Sequence, residues 1–182
     1  MAEVASKEKH DCLTAFVTDA LTLSRLGVAA AILWLGWAVG RAAFPLAILL
    51  VTLGWMTDAV DGFIARRSDC PTRLGSLDYP IDVTLTWASL LFVTLAGFVS
   101  PTPVVIYTLL ATLVSLWLRS KAVLVLFMRG VDLTVLYFAL RHELLYTLPL
   151  LAWLGFLAWF HRERLRQGVP QWLHELASQL RK

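Results

Sequence analysis

The sequence predicts an all-α fold: a polytopic membrane protein in which six transmembrane helices form a bundle, preceded by an N-terminal amphipathic interfacial helix. Three observations lead there. Hydrophobic residues make up 58% of the 182-residue chain, far above the apolar share of ordinary soluble domains. Apolar runs long enough to cross a hydrocarbon core of about 30 Å recur along most of the length, which leaves room for one membrane domain over residues 1–182 and no separate soluble one. Basic residues also fall on one side of those runs. With a cytoplasmic N-terminus, Lys7, Lys9, Arg25, Arg66, Arg67, Arg73, Arg119, Lys121 and the cluster Arg162, Arg164 and Arg166 lie inside, against Arg41 and Arg141 in outer loops.

From Asp11 onward, Leu13, Phe16, Val17, Ala20 and Leu21 repeat at helical spacing with polar residues between them. Residues 11–22 are therefore expected to lie in the membrane surface and to run into the first span. Spans are expected over about 23–39, 44–61, 79–99, 103–118, 122–140 and 144–160. Gly40 and Arg41 close the first, Pro80 is tolerated in the first turn of the third, and "SPTP" at 100–103 and "RSK" at 119–121 mark turns. The fifth span contains Arg129 and Asp132, and only "RHE" at 141–143 separates it from the sixth, so a count of five stays open beside six. Residues 161–182 make a cytoplasmic tail in which Trp172, Leu173, Leu176 and Leu180 have the spacing of a second surface helix.

Several classes of function drop out early. A net charge of only +3 gives no reason to expect a nucleic-acid partner. Cys12 and Cys70 lack metal-ligand spacing and read as free thiols in a reducing compartment. His10, His142, His161 and His174 have no ligand spacing either. No small-residue cleavage site follows the first apolar run, so a cleaved signal peptide is not expected.

The chemistry-bearing stretch is "TDAVDGFIARRSDCPTRLGSLDYPID" at 57–82. Asp58 and Asp61, three apart, are neighbours on one helix face; Asp78 and Asp82, four apart, do the same on the next helix. Both pairs sit at the same ends of consecutive antiparallel spans, so a short loop should gather all four acids in one pocket. Acids near a membrane are costly and repel one another, and a helix C-terminus, where Asp58 and Asp61 lie, disfavours negative charge further. Hard divalent cations with oxygen ligands, working on a phosphate substrate, would offset that cost. Gly62 and Ala65 continue the Asp58 face almost without side chain, Gly75 permits another close approach, and Arg66 and Arg73 offer guanidinium forks to phosphate. The competing account takes each acid as a helix-end residue and each arginine as a topology signal; it suits any one residue better than the set. Arg129 and Asp132, three apart inside a span, read either as an acceptor site or as an intrahelical ion pair.

The stretch resembles the signature of the CDP-alcohol phosphatidyltransferases, D-x2-D-G-x2-A-R-x8-G-x3-D-x3-D, through Asp58, Asp61, Gly62, Ala65, Arg66 and Gly75. "LTLSR", with Thr22 and Arg25, is similar to the Leu-Thr-x-x-Arg that opens the family's first span, and the overall pattern is closest to class I, phosphatidylglycerophosphate synthase-like members. One residue departs: Asp78 follows Gly75 after two residues instead of three, and without a gap Tyr79 and Val83 would take the acid slots. A deletion in the loop is the reading adopted.

The resemblance implies a metal-dependent transfer of a phosphatidyl group from CDP-diacylglycerol to a small polar alcohol with release of CMP. It implies that Asp58, Asp61, Asp78 and Asp82 form the metal site, for Mg²⁺ or Mn²⁺ and two ions, with Asp82 also taking the proton of the attacking hydroxyl. Thr22, Gly62, Ala65, Arg66, Arg73 and Gly75 are then the substrate-binding residues. It further implies a multi-pass protein of the inner (plasma) membrane with its active site and both termini cytoplasmic, surrounded by membrane lipids, with a homodimer as an available assembly. A cation transporter, or an inactive scaffold of the same fold, are the alternatives.

Overall fold

The computed structural model describes residues 2–65, 74, 75, 77–119, 121–160 and 162, with the backbone alone for 2–15 and 63–65. Among these residues there are six α-helices and no strand: α1 (Ala2–Ala38), α2 (Phe44–Ala65), α3 (Asp78–Leu95), α4 (Pro101–Leu118), α5 (Lys121–His142) and α6 (Leu144–Phe160), with a 3₁₀ turn, Gly40–Ala43, between the first two. Six helices thus stand where six spans are expected. Residues 11–22 are not a separate element: they and the first span form one helix, because the chain offers no proline and no helix-ending turn before Gly40. The tail expected over 161–182, apart from residue 162, and Arg66, Arg67, Cys70 and Arg73 lie outside the described residues.

Four stretches are long and apolar enough to cross a membrane, Phe16–Ala38, Gly40–Gly62, Pro101–Leu118 and Lys121–His142. α6 has 17 residues, about one short of that length, and α3 opens with its two acids. The surface is the inverse of a soluble protein's. Leu113, Leu116, Leu133 and Leu145 point outward, and Trp117 is 83% exposed. Trp34 and Trp37 sit near the end of α1, and Trp117 and Trp159 near the ends of α4 and α6, the interfacial level where tryptophan anchors a span.

α3 is the central helix. It packs most extensively on α1 and also on α5, and buries Leu85, Ala88, Leu90, Phe92 and Val93 against Ala29, Ile32 and Leu35 of α1 and Ala47, Ile48 and Val51 of α2 in one core. The end of the bundle where α3 finishes is closed by rings: Phe44 lies 4.5 Å from Phe98 and Phe98 5.7 Å from Phe138, centroid to centroid. Arg41 caps the same end. Its Nε donates to the Ala96 carbonyl at 3.0 Å, an Nη donates to Gly97, and the guanidinium lies 4.9 Å from the Phe98 centroid. Arg41 and Arg141, the two basic residues out of line with the charge asymmetry, are therefore explained locally: one holds the terminal carbonyls of α3, and the other sits in the last turn of α5 and donates to the Tyr137 hydroxyl at 2.7 Å.

Close approach of α1 to α3 depends on Gly36. A Cβ built there would stand 3.3 Å from the Phe92 Cα, a backbone atom that cannot swing aside. Gly36→Leu is expected to push the two helices apart and cost about 1–3 kcal/mol of stability, the usual penalty of overpacking. Thermal unfolding in detergent micelles checks it: an unchanged midpoint means that this contact does not limit the packing.

Candidate active site and metal centre

At the opposite end from the rings, three helices converge. Asp58 and Asp61 lie in the last turns of α2, Asp78 is the first residue of α3, and Asp82 is one turn further on. α1 supplies the side chain between them, Arg25. Its Nη1 donates to Asp58 Oδ1 at 3.0 Å and to Asp82 Oδ1; its Nη2 donates to Asp61 Oδ2 and Asp78 Oδ1, and to Thr22 Oγ1 at 3.3 Å. All four acids therefore meet at one guanidinium, which is 0% exposed. Asp61 is buried with it, whereas the Asp58, Asp78 and Asp82 side chains are 51%, 41% and 31% exposed. The result is a cup with a charged, buried floor and an acidic rim.

The register of α3 agrees with a deletion in the loop. Asp78 and Asp82 turn into the cup, while Tyr79 faces the start of α5, where Lys121 Nζ stands 5.6 Å from its ring centroid. The loop's last residues are fixed from two sides: the Leu74 amide donates to Asp19 Oδ1 of α1 at 3.1 Å, and the Leu77 amide donates to the Leu74 carbonyl at 2.8 Å. Gly75 lies exposed in this turn.

The donor set fits a divalent cation. Asp58, Asp61 and Asp78 each offer a carboxylate oxygen, and these oxygens all lie within 4.8 Å of one another. Carboxylate oxygens at that separation suit a hard cation and leave coordination positions for water and phosphate.

A cavity of about 480 Å³ opens beside the cup between α2, α3, α5 and α6. Asp58 and Asp82 stand on its wall, as do Thr86, Arg129 and Asp132, and Trp55, Leu85, Met128 and Leu154 make it largely apolar. Of the two sequence readings of the α5 pair, the intrahelical ion pair is observed. Arg129 Nη1 and Asp132 Oδ2 form an ion pair at 2.8 Å, and both residues face the cavity.

The remaining expected site residues are placed unevenly. Thr22 is buried, donates to the Thr18 carbonyl at 3.1 Å, accepts from Arg25 and lies 3.5 Å from Asp78 Oδ1, so it stands beside the guanidinium. Gly62 is half-buried one residue past Asp61, and Ala65 ends α2, its side chain outside the description, as are Arg66 and Arg73 altogether. Arg25 as the common partner of the acids, and Asp19 as an anchor of the loop, are absent from the residues singled out by the sequence for this site. Arg25 did carry a signal, as the arginine of "LTLSR" in the resemblance to the family's entry to the first span, and it shares a helix face with Thr18 and Thr22, at positions i, i+4 and i+7; neither feature ties it to the acids.

No curated protein and no solved structure matches the chain significantly. The family model for CDP-alcohol phosphatidyltransferase matches residues 15–162, a stretch that includes the cup, the cavity, α1 from residue 15 onward and the whole of α2 to α6. With four acids gathered beside a cavity at one end of a helical bundle, the chain belongs to the CDP-alcohol phosphatidyltransferase family, membrane-embedded phosphotransferases of phospholipid synthesis that transfer head groups from a CDP-alcohol.

Proposed function

We propose that this protein transfers a phosphatidyl group from CDP-diacylglycerol to a small polar alcohol and releases CMP, at the cytoplasmic face of the inner (plasma) membrane, with Mg²⁺ or Mn²⁺ as cofactor. One observation carries the reading: Asp58 and Asp82 belong both to the acidic cup and to the wall of the neighbouring cavity. A nucleotide diphosphate held at the cup and an alcohol held in the cavity would thus meet at these carboxylates. In the cavity, the Arg129 guanidinium and the Asp132 carboxylate are polar groups that could hold an acceptor's hydroxyl or anionic groups.

Asp82 is assigned the role of general base. It accepts the proton of the alcohol while that oxygen bonds to the phosphorus carrying diacylglycerol, and the bond from this phosphorus to the CMP oxygen breaks with its electron pair going to CMP. Asp58, Asp61 and Asp78, with Asp82 beside them, are assigned to divalent cations, two in number, which supply positive charge to the diphosphate oxygens and to the departing CMP. Gly62, Ala65 and Gly75 are assigned to close approach of the nucleotide, and Arg66 and Arg73 to its phosphates. Thr22 is assigned to the same side of the site, acting through Arg25.

Cation transport is less well supported. A path needs ligands along its length, but deeper in the cavity the described acid is Asp132, already paired with Arg129, and the far end of the bundle is filled by Phe44, Phe98 and Phe138.

Asp82→Asn is expected to lower CMP release from CDP-diacylglycerol by about 10²–10⁴-fold, the usual contribution of a general base, with unfolding temperature and nucleotide binding kept. Full activity in that variant removes Asp82 from its role. Arg129→Ala is expected to raise the KM of the productive acceptor by roughly tenfold, the effect of about 1.4 kcal/mol of lost binding, and to leave the KM for CDP-diacylglycerol as it was. An acceptor screen read by CMP release identifies the alcohol for that measurement, and equal shifts in both KM values assign the pair to packing alone.

A further inference from the structure

We propose that Arg25 is a built-in cation of the acidic cup, which neutralises the four carboxylates while divalent metal is absent and is driven off them, in whole or in part, as metal binds. The inference rests on the reading of the cup as a metal site. It concerns how that site is loaded, not what reaction follows.

The geometry leaves a guanidinium and a metal ion competing for the same atoms. Asp58, Asp61 and Asp78 are the residues whose oxygens come within 4.8 Å of one another, and each of the three already accepts from Arg25. Asp82, the remaining rim acid, accepts from it as well. A divalent ion drawn in by those carboxylates would stand within a few ångströms of a full positive charge that is cut off from water, since Arg25 is 0% exposed. Like charges at such range in a poorly screened site oppose each other strongly. Among the described residues nothing accepts from the buried Arg25 Nε, and the acids and Thr22 hold the guanidinium through Nη1 and Nη2. An arginine optimised only to tie helices together would be expected to spend that donor. Thr22 Oγ1, within reach of both Arg25 and Asp78 Oδ1, is placed to follow either partner if the guanidinium shifts.

Charge arithmetic supports the same order of events. Four carboxylates and one guanidinium leave three negative charges, which one divalent ion reduces to one and a second turns to a positive surplus. A first ion is then accepted by the free protein, whereas a second is favoured once a diphosphate brings its own negative charge. Arg25 therefore acts as a positioning residue in the metal-free protein and as a brake on metal loading.

The test uses the full-length protein in detergent micelles and Mn²⁺ as the probe, with free Mn²⁺ read by electron paramagnetic resonance and unfolding read with and without the ion. In Arg25→Gln the expected result is Mn²⁺ binding tightened by about tenfold or more, a metal-free unfolding temperature below that of the unsubstituted protein, and recovery of most of that deficit on saturation with Mn²⁺. Arg25→Lys, which keeps the charge but has fewer donors, should bind Mn²⁺ within about threefold of the unsubstituted protein, and it carries the test if the glutamine variant does not fold. Unchanged or weaker binding in Arg25→Gln, or an equal loss of stability with and without the ion, overturns the inference and leaves the metal site standing. A tenfold tightening in Arg25→Lys also overturns it, because shape rather than charge would then set the affinity. Failure of the unsubstituted protein to bind Mn²⁺ at all overturns the metal reading itself, and this inference with it.

Discussion

Four carboxylates held at the end of an apolar bundle repel one another and resist leaving water, so the helices that carry them can meet only where an opposite charge is fixed between them. Arg25 supplies that charge, and its location governs the arrangement of the first three helices. The guanidinium sits midway along α1, so α1 must run in the groove between α2 and α3 with its Thr18, Thr22 and Arg25 face inward. Ala29, Ile32 and Leu35 continue the same side of α1 into the core, and Gly36 lets it touch the α3 backbone further on. The network contributes little net stability once desolvation is counted, yet removal of Arg25 leaves Asp61, the buried acid among the four, uncompensated at a cost of up to about 3–5 kcal/mol. Its effect is to exclude other packings of these helices rather than to deepen this one.

The two ends of the bundle are built on opposite principles. One end is dry and closed, with Phe44, Phe98 and Phe138 in contact and Arg41 spent on the last carbonyls of α3. The other is charged and open, with a rim of half-exposed acids leading into a cavity. A single-ended site of this form suits an enzyme that meets a water-soluble nucleotide from one side of a membrane while its lipid portion stays among apolar helices. The cavity combines both demands, since acids and an arginine stand on a wall that is otherwise leucine, methionine and tryptophan. Arg129 and Asp132 can be kept at that depth because each cancels the other's charge within one turn of α5.

Much of this was legible in the chain. Local spacing translates directly into helix faces, so the pairings Asp58 with Asp61 and Asp78 with Asp82 needed no knowledge of the fold. The positions of the helices were legible too, and four of the apolar stretches are long enough to cross a membrane. What the chain did not reveal were relations between distant residues. Arg25 lies 33 residues from Asp58 and 57 from Asp82, so although "LTLSR" singled it out at the entry to the first span, nothing in the chain paired it with the acids. The Leu74 amide and Asp19 are separated by 55 residues, and no periodicity links them. The cavity is a gap between four helices, and a gap has no sequence. The continuity of α1 agrees with the expectation that residues 11–22 run into the first span, since nothing in the backbone requires a break there.

The missing residue before Asp78 shows why position matters more than count. Each residue in an α-helix turns the chain by about 100°, so a deletion between Asp78 and Asp82 would have carried one acid away from the other's face. The deletion inferred between Gly75 and Asp78 leaves that spacing at four, and both acids lie on the same side of it. Its consequence is confined to the connection between α2 and α3, where shortening a loop by one residue changes closure entropy very little. Pinning of Leu74 to Asp19 on α1 then sets where the shortened loop delivers the chain, and α3 begins with Asp78 directed at Arg25. Asp78 and Asp82 keep their spacing of four and both meet Arg25, so the departure from the family pattern is compatible with an intact site.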